Sequence, residues 1–489
     1  MQNESILSKS INFCRLGIDF LICIFTLMLF HRISKEMFLI QDCGWDDFEH
    51  LASGWFIFNG YVPYRDFFQH HHPLLWYLMT PVFYFVDHPI DSFWIGRVVA
   101  AIFWCGGCFL IGKIVRALGG GIRSVLYGLL VYLSCPTVVE IYIQNRPDTY
   151  MNFFLLWGLY EWIMFFTHKK TKNLAFCYLF FFVAFAFLQK SLLVLFPFGL
   201  YQLYLLMKKE IKWQTLIKAI ILPVILACSY GGYLAYKGIL IRYWELNWVL
   251  NAHWFRDYQT YNEDIPDYFY AGLYMVFCLC GAFASSKMLR GLSLCGLLFG
   301  LIFYSIPRPY TYYWASWTPF AAIAMGLGLE NLTLSSQKIK KLFAAGTLLF
   351  ALFFAGCYLF IPAQWKLVGS YFEENIKCLS PQIKKGEQLI DYADLYAVFL
   401  RNRPEHYYWF SLQRGALYDS RLFHRHQIPQ WDKVVYEQKP RYIKKHKVYD
   451  WTSTETGNED ILLMGLDKNW LEEHYQEVKQ LNLWVRKGN

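Results

Sequence analysis

Four carboxylates fall within eight consecutive positions, Asp42, Asp46, Asp47 and Glu49, and the segment after them carries Arg65, Asp66 and His70-His71-His72 before Pro73. Carboxylates this close raise one another's proton affinity, which prepares one of them to accept a proton from an attacking nucleophile. A second segment, Gln144-Asn145-Arg146-Pro147-Asp148, adds another carboxylate beside an arginine, and Lys190 stands in Leu188-Gln189-Lys190-Ser191. Each also has a plainer reading: a solvated acidic loop, an Arg146–Asp148 loop ion pair, and a lysine snorkelling to a membrane surface. The three adjacent histidines suggest a metal, but neighbours on an extended or helical segment point in different directions, so the spacing predicts no bound metal.

The elements that must position these residues are apolar runs. They lie at about Leu16–Arg32, Phe93–Ile114, Val125–Ile143, Met151–Phe166, Leu174–Leu188 and Leu192–Met207, then at Leu216–Ala235, Phe269–Ala284, Leu292–Ile306, Tyr313–Leu329 and Leu342–Ile361. About eleven membrane-spanning helices are expected from them. The whole composition agrees: of 489 residues, 56% are hydrophobic, 20% aromatic and only 17% charged, too apolar for a soluble protein of this size. No cleavage site follows the first run, which is therefore expected to remain as an anchor.

The formal net charge of +9 does not point to nucleic acid, because the basic residues form no stripe on one face. Instead Lys113/Arg116/Arg123, Lys169/Lys170/Lys172, Lys208/Lys209/Lys212, Lys287/Arg290 and Lys338/Lys340/Lys341 occupy every second connection. Those connections are expected to be cytoplasmic. Residues 33–92, 140–148, 189–191, 237–267 and 307–310, and all that follows Pro362, then lie outside, and with them the whole set of chemistry-bearing residues. Among the thirteen cysteines, Cys105, Cys108, Cys135, Cys177, Cys228, Cys278, Cys280 and Cys295 sit inside apolar runs, so no disulfide framework is expected; Cys105 and Cys108 read as two buried thiols.

From Pro362 the chain turns mixed and polar, with a short apolar strand at Tyr396–Leu400 and turns at Asn402–Pro404 and Thr454–Asn458. The expected architecture is a polytopic α-helical membrane protein. It comprises a transmembrane module over 1–361, with a first outer loop at 33–92, and a small soluble α/β extracytoplasmic domain over 362–489.

In this order the residues resemble the polytopic glycosyltransferases of the GT-C fold class, in particular bacterial relatives of dolichyl-phosphate-mannose protein mannosyltransferase and of the lipid A aminoarabinose transferase. The residues that carry the likeness are Asp46-Asp47, Ala52, Gly60-Tyr61-Val62-Pro63-Tyr64-Arg65-Asp66, Pro73 and Pro147-Asp148, followed by Lys190-Ser191, Tyr310–Pro319 and Lys439-Pro440-Arg441-Tyr442-Ile443. Two positions depart from the pattern: Ser191 stands where relatives have glycine, and His72 precedes Pro73 where relatives often carry a lysine that holds a phosphate.

The resemblance implies a sugar donor on a polyprenyl phosphate, no cofactor, and a glycan, lipid or protein acceptor at the outer face of the cytoplasmic membrane. It makes Asp46 the general base, with Asp47 beside it and Asp148 holding the acceptor. Arg65, His72, Arg146, Lys190 and Arg308 become the candidate phosphate contacts, and Asp66 belongs to the same substrate-binding motif. A single displacement of this kind inverts the anomeric centre. The aromatic segment 237–267 reads either as a cover over sugar or lipid or as an interfacial belt. Two rivals are a transporter or flippase, which would carry ionisable residues near the middle of its spans, and a glycan polymerase or ligase, which would carry one large outer loop between spans.

Overall fold

The computed structural model describes residues 2–37, 45–67, 69–86, 89–134, 141–142, 144–252, 275–276, 278–279, 281, 287–305, 315–334, 337–360, 387–390, 431–444, 466–481 and 483–488. The chain divides into two compact units that interleave along the sequence: residues 1–38, 97–231 and 259–363 form one, and 39–96, 232–258 and 364–489 the other.

The first unit is helical. It contains α1 (Gln2–Met37), most of a helix over Pro89–Ala117, and the helices Ile122–Ser134, Pro147–His168, Thr171–Phe187, Ser191–Met207, Trp213–Tyr236, Lys287–Ser305, Thr318–Leu334 and Lys338–Phe360. By length and composition the segments Leu16–Met37, Asp91–Ala117 and Trp213–Tyr236 are long and apolar enough to cross a membrane, and Ile122–Ser134, Thr171–Phe187, Ser191–Met207 and Ala344–Cys357 are shorter apolar helices. The expected span at Phe269–Ala284 falls almost wholly outside the described residues, as do the strand and turns expected at 396–400, 402–404 and 454–458.

Local sequence sets the helix limits that matter for function. The Pro147–His168 helix begins with proline at its first position, where the missing N–H costs nothing, and carries Asp148 in the first turn, where a negative charge meets the positive end of the helix dipole. It ends at Lys169, whose φ of 54° is left-handed. The partner helix Thr171–Phe187 then folds back, stacking Phe180 on Trp157 with ring centroids 4.3 Å apart, while Gly158 leaves room for Phe181, whose ring a Cβ would meet at 2.5 Å. Only Leu188, Gln189 and Lys190 separate this helix from the next, at Ser191–Met207. The helices Ile122–Ser134 and Thr318–Leu334 pack backbone to backbone: a Cβ on Gly326 would lie 2.3 Å from the Ser124 carbonyl oxygen, and one on Gly128 would lie 3.0 Å from that of Ala322. Glu330 reaches the start of the Ile122 helix and accepts hydrogen bonds from Gly121 N–H at 3.1 Å and from the Ser124 hydroxyl.

In the second unit, α2 (Trp45–Phe58) buries Leu51, Ala52, Trp55 and Phe56. Gly60, at a φ of 88°, allows the chain to leave the helix, with Tyr61 N–H donating back to the Phe56 carbonyl at 3.0 Å. A loop over 61–73 leads into α3 (Leu74–Met79), which packs on α2 where Gly54 leaves space for Met79 and the Trp76 carbonyl. A short helix, α4 (Val82–Phe85), follows, and further along the chain the helix Leu240–Trp244 runs into a wider π-helical turn at Glu245–Leu250.

Among the described residues the same unit holds a mixed sheet of four strands, β1 (Leu389–Ile390), β2 (Tyr442–Lys444), β3 (Tyr475–Val478) and β4 (Leu483–Arg486), in the order β1-β2-β4-β3. β1 pairs parallel with β2, Leu389 opposite Tyr442, and β4 runs antiparallel to both β2 and β3. Val435, Ile443, Leu466, Leu471, Tyr475 and Trp484 form its core. The Lys439–Ile443 motif thus contributes the start of β2.

Candidate active site

Asp46 and Asp47 are the second and third residues of α2, in its first turn. Asp47 is fully buried, as is His50 one turn further on. The His50 ring is held by Trp76 of α3, whose indole N–H donates to His50 Nδ1 at 3.1 Å, and it lies 5.6 Å from the ring of His71. On the same helix Ser53 accepts a hydrogen bond from the buried Gln69 amide at 2.8 Å, which ties α2 to the loop.

Both charged residues of the Gly60–Asp66 motif are engaged. Arg65 donates from Nε and Nη2 to the two oxygens of Asp66, at 2.7 and 2.8 Å, and the Val62 N–H donates to the same carboxylate at 2.7 Å. Burial alone would push the Asp66 carboxyl up, but these hydrogen bonds, with the charges of Arg65 and Arg242, hold it below the ordinary carboxylate value. Tyr64 adopts a left-handed φ of 65° and donates from its hydroxyl to the His71 carbonyl at 2.7 Å.

The segment 240–251 holds this loop through polar contacts. Arg242 donates to the Arg65 carbonyl at 3.4 Å, Asn251 donates to that of His70 at 2.9 Å, and the Tyr243 hydroxyl shares a hydrogen bond of 2.9 Å with His72 Nε2. Burial pushes the Tyr243 phenol up to about 12, so it stays neutral. His72, itself 2% exposed, is thereby fixed in place. The aromatic content of 237–267 was readable in sequence; its hold on the 61–73 loop was not, because some 170 residues separate the partners.

In the first unit Asp148 is the centre of a buried charge cluster. Lys190 Nζ lies 2.6 Å from Asp148 Oδ1, and Arg146 Nε lies 3.9 Å from Oδ2. The expected Arg146–Asp148 pair is thus present as the longer of two contacts, and Lys190 is drawn into the same cluster. Around it the Tyr150 hydroxyl donates to Asn145 Oδ1 at 2.7 Å, and Asn152, one turn beyond Asp148, donates to the Ala315 carbonyl at 2.8 Å. Ser191 is wholly buried, so the glycine-to-serine departure leaves a hydroxyl facing the interior. Arg308 lies outside the described residues. Among the described residues no group of three or more His, Cys, Asp or Glu side chains is arranged to hold a metal ion. Residues that sequence reasoning did not single out are His50, Trp76 and Arg242; the spacing of His50, four after Asp46 on an amphipathic helix, was the available signal.

Residues 70–230 match the family model for dolichyl-phosphate-mannose-protein mannosyltransferase. No curated protein sequence matches the chain. The crystal structure of ArnT from Cupriavidus metallidurans bound to undecaprenyl phosphate is similar, with a TM-score of 0.55 at 12% identity over 77% of this chain and 85% of that one. Its apo form has a TM-score of 0.55 at 11% identity over 86% and 92%. The archaeal oligosaccharyltransferase AglB from Archaeoglobus fulgidus, in complex with an inhibitory peptide and a dolichol-phosphate, has a TM-score of 0.50 at 10% identity over 88% and 69%. Sequence motifs, family match over 70–230 and structural likeness converge on one statement: the chain has the GT-C fold of polytopic membrane glycosyltransferases.

Proposed function

We propose that this chain is an inverting membrane glycosyltransferase that moves a sugar from a polyprenyl-phosphate donor to an acceptor at the extracytoplasmic face of the cytoplasmic membrane. The observation that carries the reading is the acidic pair Asp46-Asp47 in the first turn of α2, with Asp47 buried, in a chain of this fold. That one structural relative holds undecaprenyl phosphate and another a dolichol-phosphate supports the donor class.

In the reaction the acceptor's hydroxyl oxygen attacks the anomeric carbon, its proton passes to the Asp46 carboxylate, and the bond from that carbon to the phosphate oxygen breaks, releasing polyprenyl phosphate. Asp148 orients the acceptor, kept ionised by Lys190. Arg65, His72, Arg146 and Arg308 neutralise the departing phosphate together with Lys190, the cationic job that a metal does elsewhere. The module over 1–361 carries this machinery and 362–489 is an appended domain on the same side.

The test uses purified protein in lipid nanodiscs with a polyprenyl-phosphate-linked sugar, following release of polyprenyl phosphate. Turnover that persists in EDTA is the expected result. Loss that Mg²⁺, Mn²⁺ or Zn²⁺ restores would turn the carboxylates from base and orienter into ligands, and no turnover with any lipid-phosphate sugar would overturn the reading. Mass spectrometry of envelope glycans and lipids from cells with and without the gene identifies the acceptor.

A further inference from the structure

Each of the three consecutive histidines is held by a different side chain. Asn251 donates to the His70 carbonyl at 2.9 Å, the Tyr64 hydroxyl donates to the His71 carbonyl at 2.7 Å, and the Tyr243 hydroxyl shares its 2.9 Å hydrogen bond with His72 Nε2. The first two grip the main chain and would serve any residue there; the third engages the imidazole itself. Tyr243 is held in turn. Its ring lies edge-on to that of Tyr64, with centroids 5.5 Å apart, and the indole of Trp248, which can only donate, hydrogen-bonds to its hydroxyl. Trp248 also stands against His72, ring centroids 6.0 Å apart. The backbone beneath is tied to the same loop: the Asn251 amide that reaches His70 donates as well to the Asn247 carbonyl at 2.8 Å, and Asn247 donates to the Tyr243 carbonyl at 3.2 Å. These bonds run through the π-helical turn Glu245–Leu250, a winding that recurs at functional sites.

An imidazole is rigid and its two nitrogens point in fixed directions, so a histidine that meets a phosphate needs its ring plane set for it. A lysine ammonium, with three donors on a flexible stem, does not. His72 is buried, so protein groups rather than bulk water set that plane. We propose that Tyr243 is the positioning residue for His72, holding the imidazole in the direction from which it meets the departing phosphate, and that the two together replace the lysine often found before this proline in relatives. This rests on the reading of His72 as a phosphate contact in the proposed glycosyltransferase.

A cycle of single and double variants tests it, in nanodiscs with the polyprenyl-phosphate-linked sugar, read as kcat/KM for the donor and as inhibition by added polyprenyl phosphate. Tyr243→Phe keeps the ring and its packing on Tyr64 and removes only the hydroxyl; it should lower kcat/KM about 5- to 20-fold and weaken the inhibition by a similar factor. His72→Lys should turn over within about tenfold of wild type, because it brings its own cation. In that background Tyr243→Phe should change neither reading by more than about twofold, the loss of coupling expected once the imidazole is gone. An equal loss from Tyr243→Phe in both backgrounds, with all variants extracted as monodisperse protein, would make the hydroxyl a general support of the loop and overturn the proposal. Wild-type values for Tyr243→Phe, or no turnover by His72→Lys, would overturn it too. Absence of any wild-type turnover would instead remove the glycosyltransferase reading, and the role with it.

Discussion

Asp148 is 1% exposed, a position in which an ionised carboxylate survives only with a cation against it, and Lys190 supplies that cation from forty-two residues away. Lys190→Met leaves Asp148 with the longer Arg146 contact and should therefore destabilise the protein, by at most the roughly 3–5 kcal/mol that follows when a buried charge loses its partner outright. Adding Asp148→Asn should recover most of that loss, since a neutral amide needs no counter-ion; thermal unfolding in detergent followed by tryptophan fluorescence reads both. At the acidic pair the expectation is opposite in kind. Asp46→Asn should insert and unfold like the wild type but lose about 10²–10⁴-fold in transfer, because it removes the proposed base and keeps the shape. If Asp47→Asn is the inactive variant instead, the base is the second member. Adjacency singles out Asp46 and Asp47 as candidates in sequence, and the Pro147-Asp148 step marked a helix start. The Lys190–Asp148 pair was not legible, since no spacing rule joins a residue at one helix start to one in a distant turn.

At the scale of elements, the apolar runs predicted the helices closely where polar residues interrupt them. Leu174–Leu188 and Leu192–Met207 became Thr171–Phe187 and Ser191–Met207 with a three-residue turn between, because Gln189 and Lys190 break the apolar pattern and the basic Lys169-Lys170 pair ends the preceding helix. The short helix and π-helical turn over 240–250 escaped detection. Its mixture of Trp, Tyr and Asn fits no single period, and its order comes from tertiary contacts with the 61–73 loop. The strands β3 and β4, four residues each, were likewise too short to stand out. Within the loop, Asp66 gives a pH test. Its folded carboxyl releases its proton more readily than the unfolded one, so the group stabilises the fold above the ordinary carboxylate value, and that contribution disappears as pH falls through the lower native value. Asp66→Asn should therefore lower the unfolding temperature at pH 7, and the gap to wild type should close below about pH 4; a gap independent of pH would mean that the Arg65 and Val62 contacts contribute nothing through charge.

At the scale of the whole molecule, membrane class was legible from composition alone, and the alternation of basic connections carries an expectation of orientation. The number of spans was less so, because a helix buried among other helices and one that crosses lipid have the same apolar signature, and Asp91–Ala117 and Ile122–Ser134 differ more in length than in character. The topology expectation is direct: a reporter active only in the periplasm, fused after Asn489, should work, and one active only in the cytoplasm should not. The reverse would mean an odd error in the span count. Finally, the crossing of the Ile122–Ser134 and Thr318–Leu334 helices, where Gly128 and Gly326 let main chains touch, acts as a mechanical weld. Neither helix can slip along the other by even one residue without driving a side chain into a carbonyl. Relative motion among the helices of this unit is therefore easier to take up at other seams than at this crossing.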